Sequence, residues 1–137
     1  MESNDMEFWS LTPAVIGKKI KSVTGLDYWG DRVEFTFEDD CVLSMYHRQD
    51  CCENVSLEDW GDTKPEELIG GVVALFEKCT KDGDPEHYGV QQYTFYHMRT
   101  TKGDITMRWC GESNGYYSVE VTTELEDKDG NTIDDDF

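Results

Sequence analysis

Basic residues are scarce in this chain of 137 residues. Lysine and arginine together number 12, against 30 aspartates and glutamates, which gives a formal net charge of −18 at pH 7. A charge of this sign and size repels nucleic acid and anionic lipid, because binding either requires cationic side chains against phosphates. We therefore expect no direct nucleic-acid partner and no membrane partner.

Long apolar runs and secretory features are also missing. No stretch approaches the roughly 20 apolar residues that cross a bilayer as a helix, and residues 1–7 lack the basic and apolar regions of a secretory signal. The five cysteines are odd in number, and Cys51 and Cys52 are adjacent, which is unlike a secreted disulfide framework. We expect a cytoplasmic protein whose cysteines are reduced.

Hydrophobic residues, by contrast, are sufficient for a folded core. They make up 37% of the chain, aromatics alone make up 12%, and they alternate with polar residues as half-buried strands do. This alternation predicts strands at 18–24, 33–38, 41–47, 72–78, 91–100, 105–110 and 116–124. The sequence thus predicts a mainly β fold of the α+β class, an antiparallel meander of about seven strands with one or two short helices.

Turn and helix signals complete the predicted organisation. Asn114-Gly115 lies between two alternating runs and predicts a β-hairpin, because a type I′ turn needs positive φ at both central residues. Residues 63–70 carry helix start and stop signals, and residues 11–16 could form a shorter turn. We expect one compact domain over residues 1–126 and a weakly ordered acidic tail over 127–137.

Charge is distributed unevenly along the chain. Residues 31–69 carry 3 basic and 12 acidic residues, and residues 111–137 carry 1 and 9. Residues 70–110 carry five of each and are rich in aromatics. The neutral stretch between two acidic blocks is where we expect a ligand.

The densest polar cluster runs from His47 to Glu53, where a predicted strand ends and a loop begins. A metal site could use His47, Cys51 and Cys52 with Cys110, but adjacent cysteines cannot easily face one ion and no Cys-x-x-Cys pair is present. A cysteine nucleophile activated by His47 is another interpretation. We expect packed, inert thiols and no metal.

A second cluster, residues 108–117, places an arginine, an indole and two phenols around the predicted hairpin. Aromatic rings can stack on a base while an arginine binds a phosphate through two hydrogen bonds, so a nucleotide-sized anion could bind a globally acidic protein. The alternative is structural, with Trp109 and Tyr117 in the core and Arg108 paired with an outward glutamate.

Rows of acidic residues suggest a different function. Alternate residues of a strand face the same way, roughly 6.6 Å apart, so Glu34 with Glu38 and Glu120 with Glu124 would form lines of carboxylates. Such lines can imitate a phosphate backbone and occupy the nucleic-acid groove of a nuclease. The alternative is acidity that only keeps the protein soluble.

Motifs of known catalytic chemistry are absent from the sequence. It contains no glycine-rich phosphate loop, no G-x-S-x-G elbow and no H-E-x-x-H pair. We therefore expect neither an enzyme nor a cofactor.

Several motifs together resemble a family of small proteins of unknown function encoded by phages and prophages. The resemblance spans residues 17–121. It rests on His47, Gln49 to Glu53, Val55, Leu57 to Asp59, Leu68 to Gly70, Thr94 to Tyr96, Arg108, Trp109, Gly111 and Ser113 to Ser118. It implies a protein that acts in the host cytoplasm, and small non-enzymatic proteins of such genomes often counter host defence.

This resemblance leads to two main hypotheses. The first is a sponge, a homo-oligomer that sequesters a nucleotide-derived immune signalling molecule. Its ligand-binding residues would be His47, Gln49, Arg99, Arg108, Trp109, Asn114 and Tyr116. The second is an acidic DNA mimic that binds a host defence nuclease or a restriction or CRISPR protein. Its binding residues would be Glu34, Glu38, Glu120 and Glu124. A signal-degrading enzyme with His47 as acid or base is a third hypothesis.

Overall fold

The computed structural model describes residues 7–84, 86 and 88–136, and within them ten strands form two antiparallel sheets. The strands are β1 (Trp9–Ser10), β2 (Ile20–Thr24), β3 (Arg32–Phe37), β4 (Val42–Tyr46), β5 (Asn54–Asp59), β6 (Val73–Asp82), β7 (Val90–Thr100), β8 (Gly103–Ser113), β9 (Thr122–Glu126) and β10 (Thr132–Asp136). Sheet 1 has the order β1-β6-β7-β8-β5, and sheet 2 has the order β10-β9-β4-β3-β2. The predicted mainly β class is confirmed.

Helical structure is limited to two short segments of the described chain, a 3-10 turn at Pro13–Val15 and the helix α1 at Pro65–Leu68. The backbone N–H of Lys64 donates to the Glu67 carboxylate at 3.1 Å, which satisfies a free donor at the start of α1. Leu68 is buried and attaches α1 to the core. No helix among the described residues has the length and hydrophobicity that a membrane span requires.

One hydrophobic core lies between the two sheets. Val33, Phe35 and Phe37 of β3 are all 0% exposed, as the alternating pattern predicts. From the opposite sheet, Tyr96 accepts a hydrogen bond from the Thr123 hydroxyl at 2.9 Å, so a polar contact also joins the sheets. Burying each of these large side chains contributes about 1.5–3 kcal/mol, which makes this core the main source of stability.

The Asn114-Gly115 hairpin prediction is wrong. β8 pairs with β7 and β5, and after Ser113 the chain crosses to the other sheet before β9 begins. Asn114 does form a turn, because its side chain accepts the N–H of Tyr116 at 3.0 Å. The crossing chain then packs against Gly111, where a Cβ would lie 2.6 Å from the Cβ of Val119. The Asn114 side chain determines only the local turn, whereas the packing of Val119 against Gly111 determines where the chain goes after the turn.

Residues 127–136, expected to be a weakly ordered tail, form a turn and an edge strand. The Asp127 carboxylate accepts the backbone N–H groups of Asp129 and Asn131, both at 2.9 Å, and closes the turn. β10 then pairs with β9 in an antiparallel ladder. Phe137 and residues 1–6 of the expected domain lie outside the described residues.

Candidate functional site

The loop after β4 is organised around the carboxylate of Glu53, whose side chain is 0% exposed. The backbone N–H groups of Asp50 and Cys51 donate to its two oxygens at 2.8 Å each. Burial raises the pKa of this carboxyl, but hydrogen bonds from His47 and from the backbone outweigh burial and lower the pKa to about 2. Glu53 is therefore an anion that holds the loop in place.

His47 connects this loop to the chain that crosses between the sheets. Its Nε2 lies 2.6 Å from Oε2 of Glu53, and its Nδ1 lies 2.6 Å from the carbonyl oxygen of Glu120. Both ring nitrogens thus face oxygen atoms, one from each side of the ring. These two contacts fix the orientation of the imidazole and tie the loop to the crossing chain.

Cys51 and Cys52 lie at the exposed tip of the same loop. Gln49 donates from Nε2 to the carbonyl oxygens of Cys51 at 3.2 Å and Glu53 at 2.8 Å, which fixes the backbone around them. The two cysteines are joined by a disulfide between neighbours. The expectation that these two cysteines are packed is wrong, because Glu53 takes the inward position of the loop and leaves both cysteines in solvent.

A shallow pocket of about 260 Å³ opens beside this loop. Its walls are formed by Asp31, Arg32, Tyr46, His47, Gln49 and Val55. The guanidinium of Arg32 lies 4.4 Å from the centre of the Tyr46 ring, and that of Arg48 lies 6.0 Å from it. We call this site the arginine pocket, because Arg32 forms part of its wall and Arg48 lies near the same Tyr46 ring.

The other proposed ligand-binding residues are dispersed by the fold. Trp109 is 0% exposed in the core, so its ring is not accessible for stacking. Arg99 lies beside Asp104 near the β7–β8 turn, with Nε 3.6 Å from the carboxylate. Asn114 and Tyr116 lie in the segment that crosses from β8 to β9, residues 114–121, which we call the crossover segment. Tyr116 is 82% exposed there. Among the seven residues, His47 and Gln49 share a pocket.

Arg108 lies on the outer face of sheet 1. Its guanidinium is 3.4 Å from the Glu58 carboxylate and 5.7 Å from the centre of the Tyr93 ring.

Cys110 lies two residues further along β8. Burial and the nearby carboxylates of Glu58 and Glu112 raise the pKa of its thiol to about 11. This thiol is protonated at neutral pH, and no three potential metal ligands converge among the described residues.

Sheet 2 gathers carboxylates on its outer face. Glu34 lies opposite Ser44, and Ser44 lies opposite Glu124, so the two glutamates share one row across the sheet about 9.6 Å apart. The Tyr46 hydroxyl donates a hydrogen bond to the Glu124 carboxylate at 3.1 Å, and the Arg32 Nε–H donates one to the Glu34 carboxylate at 2.9 Å. Both carboxylates are therefore held in defined positions.

The same face continues to one end of sheet 2. Glu126 pairs with Val42, so the β9–β10 turn lies beside the β3–β4 turn that carries Glu38, Asp39 and Asp40. We refer to Glu34, Glu38, Glu124 and Glu126 as the acidic face. Glu120 lies outside the strands, exposed in the crossover segment.

Sequence reasoning missed a group of aromatic residues at the surface, namely the exposed Tyr28 and Trp29 and the half-buried Trp60, which also packs against the core. Tyr28 is 69% exposed and Trp29 is 75% exposed, while the rings of Tyr28 and Trp60 lie 4.8 Å apart. The tripeptide Trp-Gly-Asp occurs twice, at residues 29–31 and 60–62, in the two loops that meet here. That repetition is the signal that could have identified the group, which we call the aromatic patch.

Comparison with known proteins identifies a family. Neither the curated proteins nor the solved structures contain a significant match to this chain. A family model described as a domain of unknown function, DUF7448, matches residues 13–123 and points to no enzymatic family. The matched region runs from the 3-10 turn into β9 and includes the arginine pocket and the aromatic patch. The chain therefore belongs to the DUF7448 family of domains of unknown function.

Proposed function

We propose that this chain is a non-enzymatic binding protein whose acidic face docks onto the nucleic-acid-binding surface of a host defence protein, such as a restriction or CRISPR nuclease. The observation that carries the proposal is the shared row of Glu34 and Glu124, with Glu38 and Glu126 extending the carboxylates along the same face. Carboxylates fixed on a sheet can match the cationic groups that hold a phosphate backbone.

The charge around the acidic face supports this proposal. Arg32 is paired with Glu34, Lys18 with Asp39 and Lys21 with Asp40, so these nearby cations are already engaged by carboxylates. The net charge of −18 would steer the chain towards a cationic surface and accelerate association. The resemblance to phage and prophage proteins supports a counter-defence setting in the host cytoplasm.

The test is inhibition of DNA cleavage by a panel of purified restriction and CRISPR nucleases. The first variant carries Glu34→Gln, Glu38→Gln, Glu124→Gln and Glu126→Gln, the four residues of the acidic face. A matched control carries Glu66→Gln, Asp82→Asn, Asp84→Asn and Glu86→Gln, exposed residues that change the net charge equally. We expect inhibition by the native chain, relief by added duplex DNA, and loss of inhibition in the first variant but not in the control. Equal loss in both variants, or no inhibition across the panel, would contradict the proposal.

A second candidate function is the sponge, and the arginine pocket is the observation that favours it. The pocket places Arg32 beside His47 and Gln49, and Arg48 lies near the same Tyr46 ring. A phosphate would compete with Glu34 for the Arg32 guanidinium, while a base could stack on an arginine. This site replaces the larger, dispersed set of ligand-binding residues that the sequence suggested.

Native mass spectrometry distinguishes the two candidates and gives the oligomeric state. The chain is measured alone and after incubation with extract from cells whose nucleotide-signalling defences have been triggered. A sponge would carry a discrete added mass that denaturation releases intact, and the double variant Arg32→Ala with Arg48→Ala would lose it while Arg99→Ala would keep it. A salt-sensitive complex with a host protein and no added small mass would favour the acidic inhibitor.

A further inference from the structure

The aromatic patch is formed by two loops that the backbone holds together. The N–H of Trp29 donates to the carbonyl of Leu57 at 2.9 Å, and the N–H of Leu57 donates to the carbonyl of Gly30 at 2.8 Å. These two bonds bridge the β2–β3 turn to β5, across the two sheets. These main-chain contacts hold the turn of Tyr28 and Trp29 against β5, while Trp60 also packs against the core.

Trp29 is in an unusual conformation for such a side chain. Its φ is 65°, in the left-handed region that bulky residues rarely occupy, and three quarters of it is exposed to solvent. Exposed indole and a disfavoured backbone both cost free energy in the isolated chain. Backbone strain of this kind is concentrated at functional sites, where another requirement selects the residue.

Both loops of the patch carry aspartates next to their aromatic residues in the sequence. They are Asp27 and Asp31 in one loop and Asp59 and Asp62 in the other. Two neighbouring cations are paired with carboxylates, Arg32 with Glu34, and Arg108 with Glu58 at 3.4 Å and with Asp59 at 4.0 Å, which leaves four patch aspartates against two arginines. The patch thus combines aromatic faces with a local excess of negative charge.

We propose that the aromatic patch binds an arginine or lysine side chain within an exposed segment of a partner protein. A cation is attracted to the face of an aromatic ring, most strongly to tryptophan, and the flanking carboxylates add a charge-assisted hydrogen bond. An apolar partner would leave these carboxylates without compensation, and a second copy of this chain would bring its own charge of −18. Charge complementarity therefore favours a basic segment as the occupant.

This inference does not rest on the proposed function. The patch belongs to the β2–β3 turn and the segment after β5, whereas the acidic face ends at the β3–β4 turn, at the opposite end of β3. The two surfaces share no residue. A variant of one surface therefore tests it without altering the other.

The experiment uses a capped peptide of three Gly-Arg repeats, with a citrulline version of the same length as the uncharged control. Binding at 0.15 M NaCl is measured by calorimetry, and the indole N–H resonances of Trp29 and Trp60 are followed by NMR. We expect the arginine peptide to bind and shift both indole resonances, and Trp29→Ala to weaken binding about tenfold. Asp62→Asn should also weaken binding, and it leaves the rings in place if Trp29→Ala disturbs the turn.

Tyr116→Ala is the matched aromatic control, because Tyr116 is 82% exposed and lies outside the patch. It should bind the arginine peptide as the native chain does. Equal binding by the native chain and Trp29→Ala would show attraction to bulk charge only and would overturn the proposal. Equal affinity for the citrulline peptide, absence of binding, or self-association that Trp29→Ala abolishes would overturn it as well.

Discussion

At the residue scale, burial separates side chains that are alike in the sequence. Trp29 precedes Gly30 and Trp109 follows Arg108, so neither tryptophan lies in an apolar run of the sequence. Nevertheless, Trp109 is 0% exposed and Trp29 is 75% exposed. Trp109 belongs to an alternating strand whose inward face meets the second sheet. Trp29 belongs to a turn that no element covers among the described residues. One indole therefore stabilises the fold, and the other is available to a partner.

The two tryptophans give matched stability predictions. Trp109→Ala removes a fully buried indole and should lower the free energy of unfolding by about 3–5 kcal/mol. Trp29→Ala removes an exposed indole and should change it by about 0.5 kcal/mol or less. Urea denaturation of both variants checks the difference. Similar values for the two would contradict the burial that the structure assigns to Trp109.

Glu53 gives a prediction about pH. Its folded-state pKa of about 2 lies below its ordinary value of 4.5, so its ionised form stabilises the fold above pH 4.5, and this contribution is lost as the pH falls towards 2. Glu53→Gln leaves donors of Asp50, Cys51 and His47 without their anionic acceptor and should destabilise the chain at pH 7.

Thermal unfolding of both chains between pH 7 and pH 2 tests this assignment. The difference in melting temperature between the native chain and Glu53→Gln should be largest at pH 7 and should shrink below pH 4.5. A difference that stays constant over the whole range would show that the Glu53 carboxylate is not the group that titrates.

At the element scale, strands with strong alternation were predictable, whereas three of the four edge strands were not. β3 and β8 alternate between apolar and polar residues along their length, because each packs one face on the core. Of the edge strands, β2 lies within the predicted strand at 18–24, but β1, β5 and β10 were missed. β1 has two residues and pairs with the distant β6, β5 pairs with the distant β8, and β10 has an acidic composition that favoured a tail.

Hydrogen–deuterium exchange tests the most polar of these edge strands. Backbone amides of β10 that pair with β9 should exchange more slowly than those of residues 114–118, which form the exposed crossover turn. Exchange at the same rate in both segments would instead support the weakly ordered tail that the acidic composition suggests.

At the scale of the whole molecule, the charge of −18 opposes folding through self-repulsion. Several ion pairs, such as Lys21 with Asp40 and Arg32 with Glu34, are exposed and contribute little individually. The repulsion among the unpaired carboxylates should therefore exceed the attraction within these ion pairs. The long-range field that destabilises the compact state is also the field that would guide the chain to a cationic partner.

Salt should consequently stabilise this protein. Raising NaCl from 0.01 M to 0.15 M shortens the screening length from about 30 Å to about 8 Å and should raise the melting temperature at pH 7. The quadruple acidic-face variant carries a charge of smaller magnitude and should show a weaker dependence on salt. A melting temperature that falls with added salt would show that the ion pairs outweigh the repulsion.

The sequence by itself determined the mainly β class, most of the central strands, the short helical segments and the acidity of the surface. These properties follow from local alternation and from composition, which need no knowledge of distant contacts. Tertiary structure alone decided that the chain leaves Asn114-Gly115 for the other sheet, that Glu34 and Glu124 share a row, and that two Trp-Gly-Asp loops meet. Each of these depends on which strands become neighbours, and that choice is made by burial of the shared core rather than by any short segment.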